Sequence, residues 1–173
     1  MKVIELEVFK NDPTKDRNQL LKLRNHSLLG TDQEVVYIYS LISEQGIHYP
    51  KAVGRVIYIG EACRVGVATT GTRFSQHVSK GSFTGGDTGN NFVISQYYHA
   101  GWRLKLRIFT IPRGTTRKDF EAHLILSHMG YYGAPPIGQN KIPKNGATTT
   151  ALYKFINENK RKYTLYLSVL KND

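Results

Sequence analysis

The chain has a single cysteine, Cys63, in 173 residues. One thiol cannot close an intramolecular disulfide, so a disulfide-stapled secreted scaffold is excluded and a reducing, cytoplasmic setting is expected. No apolar run approaches the roughly 18 residues that a membrane span needs. The start, Met1-Lys2-Val3-Ile4-Glu5-Leu6-Glu7, has acids where a secretory signal needs an unbroken apolar stretch. There is no Cys-x-x-Cys pair and no matching histidine spacing for a structural zinc, so His123 and His128 read as surface or core-edge histidines. The Gly/Ser/Thr/Asp/Asn-rich stretch 81–91 lacks the lysine-serine signature of a nucleotide-binding loop and reads as a mobile loop. Internal repeats are absent. Acids are scarce: 13 Asp+Glu stand against 24 Lys+Arg, a formal charge of +11. That imbalance points to a polyanionic partner, nucleic acid first, with a merely solvated basic surface as the alternative.

What is present is a mixture of strand and helix signals, giving an α+β chain of one domain. Val35-Val36-Tyr37-Ile38-Tyr39 and Val56-Ile57-Tyr58-Ile59-Gly60 are β-branched and aromatic, as strands are. Alternation puts Val56, Tyr58 and Gly60 on one face, and a hairpin would stand Tyr37 beside Tyr58. Gly60 leaves room for a close approach. The connection 43–55, long for a hairpin, carries His48, Lys51 and Arg55; it is a solvated loop or a finger that touches DNA. A helix over about 72–80, ended by Gly81, places Arg73 and His77 one turn apart on one face. A further helix over about 92–100 closes at Gly101.

Residues 102–111 read as a half-buried strand. Trp102, Leu104, Leu106 and Ile108 face one way; Arg103, Lys105 and Arg107 face the other, as a solvated edge or a phosphate-contacting ridge. Thr116 opens a capping box for a helix to about Met129, stopped by Gly130. That helix carries Glu121 beside an apolar stripe, where a carboxylate needs an arginine, a hydrogen bond or a cation. Asn140 follows in the turn-rich stretch 130–147. At the ends, residues 2–9 read as a strand and about 15–28 as a helix capped by Thr14. A helix from Thr148/Thr149 to about Glu158 precedes a final strand, Tyr163 to Leu170.

Taken in order, Tyr37 on one strand, Tyr58-Ile59-Gly60 on the next, Arg73 and His77 on a helix, Glu121 on a later helix and Asn140 beyond it resemble the GIY-YIG nuclease superfamily. Val35-Val36-Tyr37 stands where Gly-Ile-Tyr is expected; the second motif is intact. The resemblance covers about 35–140. It implies a small, mainly antiparallel sheet flanked by helices, with 1–34 and 141–173 as short additions. It implies Tyr37, Tyr58, Arg73, His77, Glu121 and Asn140 as catalytic residues, Glu121 as the ligand of Mg²⁺ or Mn²⁺, and Tyr37 near the attacking water. Which of Tyr37, Tyr58 and His77 takes the proton stays open, as does whether Asn140 orients Glu121 and the tyrosines or holds its turn.

The chemistry suits these residue types. A cation on a carboxylate stabilises the phosphate and the leaving 3′ oxygen, and an arginine grips phosphate with a fork of donors. The expected activity is hydrolysis of double-stranded DNA to 5′-phosphate and 3′-hydroxyl ends. The lack of a separate recognition domain resembles the stand-alone type II restriction endonucleases, which could pair as a homodimer on DNA. A repair-, homing- or phage-type nuclease and a non-catalytic basic nucleic-acid-binding protein are the alternatives. His48, Lys51, Arg55, Lys80, Arg103, Lys105, Arg107 and Lys141 are the candidate DNA contacts.

Overall fold

Every residue from Val35 to Leu41 is buried, which requires a strand covered on both faces. A computed structural model, describing residues 1–78 and 92–171, places this strand inside a four-stranded sheet. The strands are β1 (Val3–Val8), β2 (Val35–Leu41), β5 (Val56–Ala62) and β6 (Leu104–Thr110), in the order β1-β6-β2-β5. All neighbours run antiparallel. Two short strands, β3 (Ile47–His48) and β4 (Val53–Gly54), form a separate ribbon. The protein is therefore α+β, with a small antiparallel sheet flanked by helices. The expected loop over 81–91, the end of the expected helix at Lys80 and the candidate contact Lys80 lie outside the described residues.

Each sheet face has its own core. One face gathers Tyr37, Tyr39, Tyr58, Leu106 and Ile108 with Leu20, Phe74, Ile94 and Tyr98. The last four come from helices α1 (Pro13–Leu21), α2 (Thr72–Ser75) and α3 (Phe92–His99). The other face packs Val36, Ile38, Val56, Ile59 and Phe109 against α4 (Arg117–Tyr132), α5 (Thr149–Glu158) and α6 (Lys160–Lys171). The segment expected as an N-terminal addition supplies a strand of the main sheet and Leu20 of its core.

Several expectations are corrected by packing. Tyr163 to Leu170 is helical, not a strand: Tyr166, Val169 and Leu170 recur at helical spacing and bury against α4, with the Tyr166 ring 5.2 Å from Phe120. The basic row on β6 is neither an edge nor a continuous ridge, because β6 lies between β1 and β2. Arg107 is only 2% exposed, and its Nη1 donates to the Val169 carbonyl in the last turn of α6 at 2.7 Å. It is not a DNA contact, since α6 covers it. Trp102 stands before the strand and is exposed. A β-bulge in β5 shifts the register between Tyr39 and Ser40. The bulge sends Val56 to the α4 side and Tyr58 to the opposite core, so these two do not share a face. The first helix is shorter than expected. Asp12, not Thr14, caps it, accepting from Thr14 and Lys15 N–H, and it gives way to 3₁₀ turns after Leu21. Helix α4 runs past Gly130 to Tyr132 and ends at Gly133, which is left-handed with φ 84°. His128 on α4 is fully buried rather than superficial, its Nδ1 against the Ala134 carbonyl at 2.7 Å.

Candidate active site

The site begins at the β2–β5 pair. Tyr37 is opposite Gly60 in the register, and its ring centroid is 6.0 Å from that of Tyr58. Gly60 gives the two rings their place. A Cβ there would meet Tyr58 Cε1 at 2.6 Å and the Tyr37 Cζ and hydroxyl at 2.7 Å, closer than any side chain tolerates. The room left by this glycine is thus filled by the tyrosines themselves. Burial raises the pKa of Tyr37, while the Arg73 guanidinium beside its hydroxyl lowers it. Tyr58 is also pushed up by burial, then by the neighbouring Tyr37 and Glu121.

Helix α2 holds Arg73, half-buried. His77 falls in the 3₁₀ turn that continues it. Its ring packs 5.4 Å from that of Tyr37 and 5.8 Å from that of Phe74, and its Nδ1 is 2.8 Å from the Tyr39 hydroxyl. Burial lowers its pKa to about 3, with the Arg73 charge acting in the same direction. At neutral pH this ring is an uncharged member of the core behind Tyr37.

On the other side of β5, Glu121 of α4 faces a cavity of about 420 Å³ lined also by Glu61, Arg73, Lys118, Asn140 and Lys141. Burial pushes the Glu121 carboxyl up to about 7, and the nearby Glu61 carboxylate adds to this; the Glu61 N–H and the Lys141 charge oppose it. An adjoining hollow of about 280 Å³ shares Glu61 and Arg73 and adds Arg64 and Arg117. Arg117, one turn before Glu121, donates from Nε to Glu61 at 2.6 Å and from Nη1 to Glu34. This clamp ties the start of α4 to the ends of β2 and β5.

Asn140 reaches the cavity because the chain before it plugs the outer edge of β5. Gly138 N–H donates to the Ile57 carbonyl at 2.7 Å, and Ile59 N–H donates to Gln139 Oε1 at 3.2 Å. The turn expected around Asn140 is therefore anchored on the strand that carries Tyr58.

The structure brings together Tyr37, Tyr58, Arg73, Glu121 and Asn140, with Lys141 on the rim. It does not bring His48, Lys51 or Arg55 there. Lys51 N–H bonds the Tyr132 carbonyl, at the end of α4 about 16 Å along the helix from Glu121. His48 is exposed on the β3–β4 ribbon. Arg55 donates to the Ser43 carbonyl at 2.8 Å and lines a separate hollow with Glu7 and Lys105. Arg103 pairs with Glu7 at 2.5 Å. Sequence reasoning missed Glu61, Arg64, Arg117, Lys118 and Glu34. Two local signals existed: Glu61 directly follows Gly60, and Arg117 precedes Glu121 by one helical turn.

The donor set fits a hard divalent cation. The cavity offers carboxylate and amide oxygens, and magnesium commonly takes one or two carboxylates and keeps several waters. Two nearby carboxylates in a recess, one of them held well above its ordinary pKa, are relieved by a cation. Among the described residues there is no cluster of three or more His, Cys, Asp and Glu. No helix among the described residues is long and apolar enough to cross a membrane. No protein-family model, no curated protein and no solved structure matches this chain.

Proposed function

We propose that this chain is a divalent-metal-dependent endodeoxyribonuclease of the GIY-YIG kind, acting in the cytoplasm on double-stranded DNA, and that its role is that of a type II restriction endonuclease. One observation carries the reading: Glu121 faces a basic-rimmed cavity that Arg73 also lines, and the same Arg73 guanidinium lies beside the hydroxyl of the buried Tyr37. A bound Mg²⁺ or Mn²⁺ would supply charge stabilisation to the phosphate and the departing oxygen.

The chain's residues account for the rest. Glu121 would hold the cation, and Asn140 and the Glu61 N–H would orient that carboxylate. Arg73 grips a non-bridging phosphate oxygen. Tyr37 gives its proton to bulk solvent before attack, the Arg73 guanidinium favouring the anion against the cost of burial. Its anion, held by Arg73 and the Tyr58 hydroxyl, then takes a proton from the attacking water. The water oxygen bonds phosphorus as the bond to the 3′ oxygen breaks. The leaving oxygen keeps the electron pair and is protonated by solvent, giving 5′-phosphate and 3′-hydroxyl ends. His77 supports the Tyr37 ring and stays neutral. One such site cuts one strand, so a double-strand break takes a homodimer or two nicks.

The test is plasmid nicking with Mg²⁺ or Mn²⁺, in parallel with a chelator control and Glu121→Gln. The reading expects nicking only with metal, and none from Glu121→Gln, which keeps the shape but removes the charge. DNA binding by that variant should be unchanged or tighter. Cleavage by Glu121→Gln near the native rate would place the metal elsewhere. DNA binding without cleavage under any metal would leave a non-catalytic basic binding protein.

A further inference from the structure

Directly after the arginine-rich hollow, the chain makes an exposed apolar tip. Val65 is 78% exposed and Val67 106%, with Gly66 turning between them at φ 86°. Burying apolar side chains is favourable, so two bare valines flanking a turn on a projecting loop need a reason. The loop is not loosely attached. Arg64 N–H donates to Thr70 Oγ1 at 3.1 Å, Thr70 Oγ1 donates to the Gln33 carbonyl at 2.7 Å, and Asp32 N–H donates to the Arg64 carbonyl at 2.7 Å. The root is fixed and the tip is open. At that root Arg64 shares a hollow with Arg73 and Arg117, and Lys118 and Lys141 rim the next. A rim of this sign draws the phosphate backbone, and an apolar tip beside it is suited to the groove between the strands.

We infer that the loop from Arg64 to Thr70 is a DNA-reading loop: Arg64 contacts a phosphate, and Val65 and Val67 enter the major groove and contact apolar base edges. The thymine methyl is the base feature an aliphatic side chain recognises. The inference rests on the nuclease reading and names what selects its substrate. Phosphate contacts set position without sequence information, while groove contacts supply it, so the two parts of the loop have separable effects.

The experiment measures binding of the whole chain to a randomised duplex pool, in chelator, and then to selected duplexes with and without uracil in place of thymine. The native protein is compared with Val65→Ser/Val67→Ser and with Arg64→Gln. The valine variant is expected to lose about tenfold of the preference at one or two base pairs. Its salt slope and thermal midpoint should stay native, and it should cease to distinguish thymine from uracil there. Arg64→Gln is expected to keep the preference and flatten the salt slope by about one. The inference is overturned if the valine variant keeps the native preference, if it weakens all sequences equally, or if the native protein binds all sequences alike. Because binding is read without metal, failure of the native protein to cut DNA in a separate assay sinks the nuclease reading and leaves this measurement standing.

Discussion

Gly60 decides more at the residue scale than its size suggests. Two tyrosine rings stand where its Cβ would be, so Gly60→Ala is an overpacking change. It should destabilise by about 1–3 kcal/mol, read as a lower denaturation midpoint, and should depress cleavage further by displacing the Tyr37 hydroxyl. Tyr37→Phe leaves the fold intact and removes the proton acceptor, so cleavage should fall by about 10²–10⁴-fold with DNA affinity retained. A native-like rate would move the base role to Tyr58. On the proposed reading, Glu121 should make cleavage pH-dependent. With its carboxyl pushed up to about 7, proton and cation compete for the same oxygens. At low metal concentration the rate should rise through neutral pH, and each tenfold increase in Mg²⁺ should move that rise to lower pH. A limb that ignores metal concentration would exclude Glu121 as its source.

At the scale of elements, α4 is the organising helix. It carries Glu121, covers the sheet with Phe120 and Leu124, and is tied at its start by the Glu34–Arg117–Glu61 clamp. Arg117→Gln should cost about 1–3 kcal/mol, seen as a lowered thermal midpoint. Much of this was legible. The cap at Thr116 marked α4, alternation marked β1 and β6, and β-branched and aromatic runs marked β2 and β5. The segment Tyr163–Leu170 misled because Tyr163 and Leu165 also fit a period of two; its contact with α4, which no local pattern contains, decided for helix. The bulge in β5 was equally hidden, since one extra residue in a strand leaves no trace in a window of side chains. The catalytic candidates were legible as types in order, and five of the six gather at the cavity and the tyrosine pair beside it. Glu61 and Arg117 had only the local signals of Gly60 and Glu121 beside them, because their importance arises from a spatial meeting of β5 with α4.

The whole molecule carries +11, and Arg64, Arg73, Lys118 and Lys141 border the two joined hollows. A log-log plot of DNA affinity against salt should have a slope of about −4 or steeper; a flat plot would mean the basic excess is only solvated surface. Acid should unfold the protein through its core. His77 and His128 are buried, and burial lowers their pKa values to about 3 and about 4. Both are ordinary, near 6.5, in the unfolded chain. The unfolded state therefore binds protons first. Stability present above pH 6.5 is lost as pH falls toward the folded values, by about 2 kcal/mol per histidine between pH 7 and 5. Glu121 opposes this, since its raised pKa favours the folded state as pH falls from about 7. Glu121→Gln should therefore steepen the acid loss in a denaturant titration at the two pH values.

The plug along β5 has a consequence for how copies of this chain meet one another. A bare strand edge is a template on which a neighbouring chain can extend the ladder into fibrils. Here the outward-facing groups of Val56, Ile57 and Ile59 are taken by Tyr49, Gly138 and Gln139. At the opposite edge, β1 exposes the charges of Glu5 and Glu7. Continuous-sheet aggregation is thereby opposed at both ends, by capture at one and by charge at the other. Two copies that pair across a DNA site would do so through helices or loops, and the segment that delivers Asn140 also keeps the β5 edge from joining a second chain.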